Sequence, residues 1–470
     1  MSQKKRFIVL LVDGARYDVF QELLDAGKLP QISEFFLSQG SLVPATSAFP
    51  STTGPAYMPF LTGCFPGTCN VPGIRWFDKQ AFASKRFSLK RFRSYVGFES
   101  LLMNQDMNPD CKTLFDYFPK SYNIFNSINR GVSSEGNLAS HMRLWYWYYA
   151  HLTDRWHLAD EAALEKSLGV LKNDFEFLFT VFPGVDEYSH LSHPRHRKAI
   201  EAYQYVDHVV GQIAQTLRRE GKDEETAVFI VSDHGLSETK QHFGVASFLE
   251  AKGIKTFYYP KIFKSGFQAA SMVSGNAMLH LYFKGHEGWG ERLGFEEIDE
   301  KYPSVISDLL ENPAVDLLLG QNKEGWVEIL GRQGLLRVKE EGDSLCFEKL
   351  RGDILPLQEG VQKLTRSQAL QITRNTSYPD LLMQAAQLFR SPRCGDIVLS
   401  AAKGYDLRKR FEHPEHKSSH GALHDEHMLT PLFSNVKINR DFVRSADLFP
   451  SILKLAGKPL PHYLDGEVFV

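Results

Sequence analysis

The chemistry in this chain is carried by aspartates and histidines that follow short apolar runs. Asp13 ends the run that begins at Phe7. Asp186 comes soon after Phe175–Phe182, and His190 follows it at the i,i+4 spacing that shares one face of a helical turn. Asp233 and His234 close Thr226–Val231 in a Ser232-Asp233-His234-Gly235 turn, and His420 sits in Ser419-His420-Gly421, beyond the run Asp396–Ala401. Carboxylates and imidazoles without paired thiolates suit Zn²⁺, Mn²⁺ or iron. Each feature alone has a plain structural reading: a capped, hydrated helix end for Asp186 and His190, a turn for Asp233-His234-Gly235. Their shared position at strand–loop junctions is what turns put there by chance do not explain.

A nucleophile has a place in Phe49-Pro50-Ser51-Thr52-Thr53-Gly54-Pro55, which leads into an apolar stretch expected to be helical after Thr53 and kinked by Pro59. A hydroxyl at a helix N-terminus lies where backbone N–H groups and the helix dipole favour phosphate. The same residues, Ser51, Thr52 and Thr53, are also good N-caps.

These residues need elements to hold them. Phe7–Val12, Phe175–Phe182, Thr226–Val231 and Asp396–Ala401 read as buried strands. Asp18–Ala26 and His196–Arg218 have helical spacing, the latter through Ile200, Tyr203, Val206, Val210, Ile213 and Leu217. Strands alternating with helices imply an α/β fold whose mostly parallel sheet is covered on both faces, with ligands bound beyond the carboxyl ends of its strands. Two stretches depart from this pattern. Residues 81–160 are aromatic and basic, culminating in Trp145–Tyr149, and read as a cap-like insert. Residues 241–394 hold strand-like pieces at Ala277–Phe283, Gly325–Leu330 and Gly334–Val338, and read as an inserted smaller α+β lobe. The catalytic core is then expected over 1–240 and 395–470.

The chain has 470 residues, 54 Lys+Arg against 56 Asp+Glu, and a net charge of -2, so it lacks the basic surplus of a protein that coats nucleic acid. It has 17 histidines, which makes their placement the leading question. The N-terminal apolar run is too short for a signal peptide and is ended by Asp13 and Arg16; no run is long enough to span a membrane. The five cysteines are odd in number and show no CxxC, which fits a reduced, cytoplasmic protein, with a Cys64–Cys69 disulfide as the alternative. His193, His196, His413 and His416 read as solvated; His424 and His427 as groups that orient a ligand or as a polar loop; His242 as able to reach the site.

The order Asp13, Thr53, Asp186/His190, Asp233-His234 and His420 resembles the alkaline phosphatase superfamily. The resemblance is closest to its nucleotide pyrophosphatase/phosphodiesterase (type I phosphodiesterase) branch and to the related phosphonoacetate hydrolases. Thr53 in Pro50–Pro55, together with Leu61-Thr62-Gly63, is similar to the nucleophile turn. Ala446–Pro450 through Leu464-Asp465-Gly466 is similar to the closing helix and tail. The resemblance implies two divalent cations, most often zinc, with Mn²⁺ as the alternative. Asp186, His190 and His420 would hold one; Asp13, Asp233, His234 and the Thr53 hydroxyl the other. It further implies a hydrolase of phosphodiester or pyrophosphate bonds that works through a phospho-threonine, with the Gly54 N–H on the non-bridging oxygens. A phosphomonoesterase, phosphonate hydrolase or mutase is the alternative on the same scaffold, and a non-catalytic metal-binding protein the more distant one. The branch often carries an asparagine about twenty residues after the nucleophile. Here that region offers Asn70 or Arg75 as the phosphate contact. The expected partner is a small phosphate ester and no nucleic-acid polymer; the leaving group and the oligomeric state are left open.

Overall fold

The computed structural model describes residues 4–38, 40–84, 91–138, 146, 149–150, 152–263, 265–409 and 415–470. Trp145, Trp147, Tyr148 and His413 lie outside them. The central sheet has eight strands: β1 (Arg6–Val12), β2 (Ser41–Thr46), β3 (Ser121–Ile124), β4 (Asn137–Leu138), β5 (Phe177–Phe182), β6 (Thr226–Val231), β7 (Leu429–Ser434) and β8 (Val443–Arg444). They lie in the order β8-β2-β7-β6-β1-β5-β3-β4, and only β7 runs antiparallel to its neighbours. Phe7 to Val12 are all fully buried. This explains the unbroken apolar run, because a parallel strand covered on both faces has no solvent side on which to alternate.

Register fixes the site. Val12 of β1 lies opposite Phe182 of β5, and Leu11 opposite Val231 of β6. The carboxyl ends of these three central strands are therefore level, and the residues that follow them, Asp13, Asp186 and Asp233, share one rim. The principal helices are α1 (Tyr17–Asp25), α2 (His157–Leu171), α3 (Gly184–His190), α4 (Arg197–Arg219), α5 (Leu381–Leu388) and α6 (Leu448–Leu455). Helix α4 buries Tyr203, Val206, Val210, Ile213 and Leu217 on one stripe, as its spacing predicts. His196 caps it by accepting from the Lys198 N–H at 3.3 Å.

A second, nine-stranded sheet runs from Thr256–Phe257 to Gly360–Thr365. It corrects one expectation. Ile397–Ala401 does not join the parallel strands; it pairs antiparallel with Met278–Phe283 and Val315–Gln321 in the middle of this second sheet. A five-residue run buried on both sides looks the same in either sheet, so its own sequence does not name its partners. Conversely, Ser121–Ile124 lies within the stretch read as a cap, yet it is β3 of the central sheet. All five cysteines are buried and free, so Cys64 and Cys69 form no disulfide. Among the described residues no helix is long and apolar enough to cross a membrane.

Candidate active site

The level strand ends gather the sequence-predicted ligands into one buried cluster. Asp186, His190 and His420 offer ligand atoms within 4.8 Å of one another, and so do Asp13, Asp186 and His234. Asp186 thus belongs to both groups, where the resemblance assigns it to one ion alone. Asp233 adjoins them, its Oδ2 3.2 Å from His234 Nε2 and its Oδ1 accepting from the Gly14 N–H at 3.3 Å. The His234 and His420 rings stack with centroids 3.8 Å apart.

Each imidazole is oriented by its other nitrogen. His190 Nδ1 lies 2.8 Å from the Ser418 carbonyl, His420 Nδ1 3.1 Å from that of Ser51, and His234 Nδ1 3.1 Å from that of Gly235. A carbonyl can only accept, so Nδ1 donates and each Nε2 lone pair faces the cluster, the arrangement that metal-ligating histidines adopt. Burial pushes the Asp186 carboxyl up to about 8. Burial, reinforced by the charges of Asp13 and Asp186, raises Asp233 well above the carboxylate range. Burial and the neighbouring His190 hold His234 down to about 3. Among the described residues, Asp186 Oδ1 and Asp233 Oδ2 are buried with no hydrogen-bond donor. Neutral imidazoles beside buried carboxylate oxygens that lack donors fit divalent cations, whose charge compensates what burial penalises.

Of the three adjacent hydroxyls, Ser51 and Thr52 are fully buried, and the Ser51 hydroxyl donates to the Ala422 carbonyl. Thr53 alone faces the cleft, with Oγ1 3.3 Å from Asp13 Oδ1 and 3.2 Å from His234 Nε2. Gly54 follows at φ 93°, a left-handed conformation that favours glycine, and its open side faces the mobile end of Met103. The helix expected after Thr53 is two short pieces, a 3₁₀ turn over Pro55–Tyr57 and a helix over Met58–Thr62. The open cleft before Thr53 has a volume of about 290 Å³ and is walled further by Arg75, Asn276 and Arg408.

The chain matches the family described as type I phosphodiesterase / nucleotide pyrophosphatase over residues 7–423. It belongs to that family. No curated sequence matches it. Among solved structures it is similar to phosphonoacetate hydrolase from Sinorhizobium meliloti 1021 in complex with phosphonoacetate (TM-score 0.58, 14% identity, 97% of this chain and 96% of that one). It is likewise similar to murine ectonucleotide pyrophosphatase/phosphodiesterase 5 (TM-score 0.57, 12% identity, 98% and 97% covered). An inactive threonine-to-alanine variant of the murine protein in complex with AMP scores 0.56 at 13% identity, with 98% of each chain covered. The fold is thus that of the alkaline phosphatase superfamily, and family and fold together indicate a phosphoric ester hydrolase.

Against this type I phosphodiesterase frame, not every expected residue reaches the cleft. Asn70 does not. It adopts a left-handed turn at φ 58°, its Oδ1 accepts from Ser391 and its carbonyl from Arg393. Arg75 does, anchored by donating to Ser94 Oγ and the Val273 carbonyl, each at 3.1 Å. His242 lies outside the cleft lining, pairing with Asp406 at 2.9 Å and Glu415 at 3.0 Å. His416, read as solvated, lines the cleft with its ring 4.2 Å from that of His190. His427 ties the two ligand loops together, accepting from the Ala422 N–H at 3.0 Å and donating to Ser237 at 2.7 Å.

Several supports escaped the sequence reading. Tyr57 donates to Asp13 Oδ2; its position, four residues after Thr53 at a helix start, was the available signal. Asp160 of α2 accepts the Gly184 N–H at the start of α3 and so sets the helix that carries Asp186 and His190. From the second lobe, Gln384 accepts from the Phe49 N–H at 2.9 Å and Gln387 donates to the Phe49 carbonyl at 2.7 Å, while Arg444 clamps Asp380 at the head of α5. Residues packed on the second sheet therefore help to hold the turn that carries Thr53. Replacing Gln384 and Gln387 together by leucine strands buried polar groups of Phe49, a cost of ~1–3 kcal/mol for each. The expected outcome is a lower unfolding midpoint in urea and a kcat reduced ~10-fold, with metal content unchanged by elemental analysis.

Proposed function

We propose that this chain hydrolyses phosphodiester or pyrophosphate bonds of small molecules, using two divalent cations and Thr53 as nucleophile. The single observation that carries the reading is the selection of one hydroxyl out of three. Only Thr53 opens to the cleft, and it does so beside Asp13 and His234, at the edge of a ligand set that fits cations. Asp186, His190 and His420 would hold one ion, and Asp13, Asp233, His234 and the Thr53 hydroxyl the other, with Asp186 close enough to bear on both. When bound, such ions supply positive charge that lowers the pKa of a hydroxyl and neutralises departing oxygen. Zinc leads, since imidazole with carboxylate suits it, and Mn²⁺ accepts the same donors.

The chain's own groups divide the remaining work. Asp13 Oδ1 accepts the hydrogen bond of Thr53 and orients Oγ1, and Tyr57 in turn fixes Asp13. The Thr53 hydroxyl gives up its proton to solvent, and its oxygen forms the new bond to phosphorus as the ester oxygen leaves with its electron pair. Water then attacks the phospho-threonine and releases Thr53 as the hydroxyl. Gly54, half of the turn's N-terminal edge, presents its N–H to the non-bridging oxygens, and Arg75 adds a charge-assisted contact in the place where Asn70 was the other candidate.

A screen of protein reconstituted with Zn²⁺ or with Mn²⁺ against p-nitrophenyl phosphate, bis(p-nitrophenyl) phosphate and an aryl phosphonate tests the reading. Turnover of the diester above the other two is expected. Absence of diester hydrolysis with both metals would overturn it.

A further inference from the structure

Three of the five cysteines come together outside the catalytic cleft. Cys64, Cys69 and Cys111 are buried and free, none of them lines the cleft, and each of the three thiol pairs interacts directly. Two loops bring them there. Cys64 stands two residues beyond the helix Met58–Thr62 that follows the Thr53 turn, and Cys69 closes the next turn by donating its N–H to the Phe65 carbonyl at 2.9 Å. Cys111 arrives from a distant loop, its N–H donating to the Asn108 carbonyl at 3.2 Å. The sulfurs are held only by long contacts: Cys64 Sγ is 3.6 Å from the Tyr463 carbonyl, Cys69 Sγ 3.7 Å from that of Cys64, and Cys111 Sγ 3.8 Å from that of Thr68. Such weak bonds cost little to give up. Among the described residues, the groups gathered closely enough to hold an ion are the Asp/His sets of the cleft, so the thiols are not read as metal ligands.

One of the three is the most reactive. The Arg130 guanidinium donates to the Cys111 carbonyl and, at 3.1 Å, to that of Asn108, which sets a positive charge beside this loop. Contact with Cys64 and Cys69, with the charge of Arg130, holds the Cys111 thiol below the ordinary range, while burial holds Cys69 above it. A thiol near a guanidinium is the one that reacts as thiolate. Asp110 and Lys112, on either side of Cys111, are exposed, so a local opening of this loop admits a reagent as small as peroxide.

We propose that Cys111 and Cys64 form a peroxide-reactive dithiol that closes reversibly to a disulfide, a modification site separate from the Asp/His cluster. The Cys111 sulfur attacks one oxygen of the peroxide, the O–O bond breaks, and the departing hydroxide takes up a proton as water. The Cys64 sulfur then attacks the resulting Cys111 sulfenic acid; the S–O bond breaks and a second water leaves with the Cys64 proton. Two thiols are oxidised and one peroxide is reduced to two waters. The bond would tie the segment that carries Thr53 to the one that runs on from Met103 in the cleft wall.

The test treats the zinc-loaded protein with hydrogen peroxide, alkylates it, and maps the unreduced digest by mass spectrometry. A Cys64–Cys111 linked peptide is expected as the main product, with the thiols of the unfolded chain falling by two from the original five and returning after dithiothreitol. Cys111→Ser is expected to abolish this peptide and slow peroxide-dependent thiol loss at least ~10-fold, the gain in thiolate that a lowered thiol pKa supplies at neutral pH. Cys69→Ser is expected to keep the linked peptide, and so is Cys346→Ser, whose thiol lies on the second sheet. The wild-type map decides the matter even if a variant fails to fold. Retention of all five thiols at peroxide concentrations that oxidise free cysteine, or a main product that lacks Cys111, overturns the inference.

Discussion

Thr53→Ala is expected to lower kcat/KM toward an aryl phosphodiester by at least ~10³-fold, the order lost when a covalent nucleophile is removed. The size of the effect follows from how the turn is packed. Ser51 and Thr52 are both fully buried, with the Ser51 hydroxyl committed to the Ala422 carbonyl, so neither neighbour can substitute. Thr53 itself is only partly buried and, among the described residues, its hydroxyl contacts Asp13 and His234 at the cleft, so its loss leaves the core intact. The unfolding midpoint is therefore expected to stay at the wild-type level, and metal content at saturating metal to change little, because Asp13, Asp233 and His234 remain to hold the ion that Thr53 would also touch. Thr53→Ser keeps the hydroxyl and is expected to retain far more activity than alanine. Activity of Thr53→Ala within ~10-fold of wild type, measured on the same metal-loaded preparation, would remove the covalent mechanism.

Removal of divalent metal by a chelator is expected to abolish turnover, with recovery on adding Zn²⁺ or Mn²⁺. It is also expected to make stability fall as pH rises from 7 to 8. In the stripped protein Asp186 holds its proton to about 8, against an ordinary value of 3.8, because it is buried. Over this interval the folded state binds more protons than the unfolded chain, so unfolding free energy decreases with rising pH. His234 works in the opposite sense, since burial takes it from 6.5 to about 3. Its contribution is lost as pH falls through the ordinary histidine range, as are those of His280, His420, His424 and His427, which burial also lowers; from pH 7 to 8 only the minor protonated fraction of the unfolded imidazoles is left to oppose the carboxylates. Asp160, Asp186 and Asp233, all raised by burial, therefore set the sign in this window. The expected fall in Tm is about 1 °C per pH unit for each such group in a chain of this size. Bound cations hold the carboxylates ionised and should flatten the slope while raising Tm through mass action. A Tm of the stripped protein that is flat or rising over this window would show that the cluster is not the buried, uncompensated set described.

Much of the site was legible because strand ends are local features. Asp13, Asp186 and Asp233 each follow an apolar run within a few residues, and parallel strands in register bring their carboxyl ends level whatever lies between them. The helix α4 was legible for the same reason: a 3.6-residue stripe declares itself within a short window. Arg75 was readable as a cation close to Thr53 in sequence. Asn70 was readable in the same way, but the fold turns its side chain to Ser391, more than three hundred residues away.

The sequence by itself determined the fold class and the family, since these are written in the order and spacing of a few residues at strand ends. Only the tertiary structure decided which of three adjacent hydroxyls opens to the cleft, and that Asp186 lies in both of the Asp/His groups gathered there. It alone showed that Ile397–Ala401 belongs to the second sheet, and that α5 holds Phe49 close to Thr53. The reason is physical. A side chain's type and period are local properties, but its burial, its hydrogen-bond partner and its proton affinity depend on what distant segments bring against it.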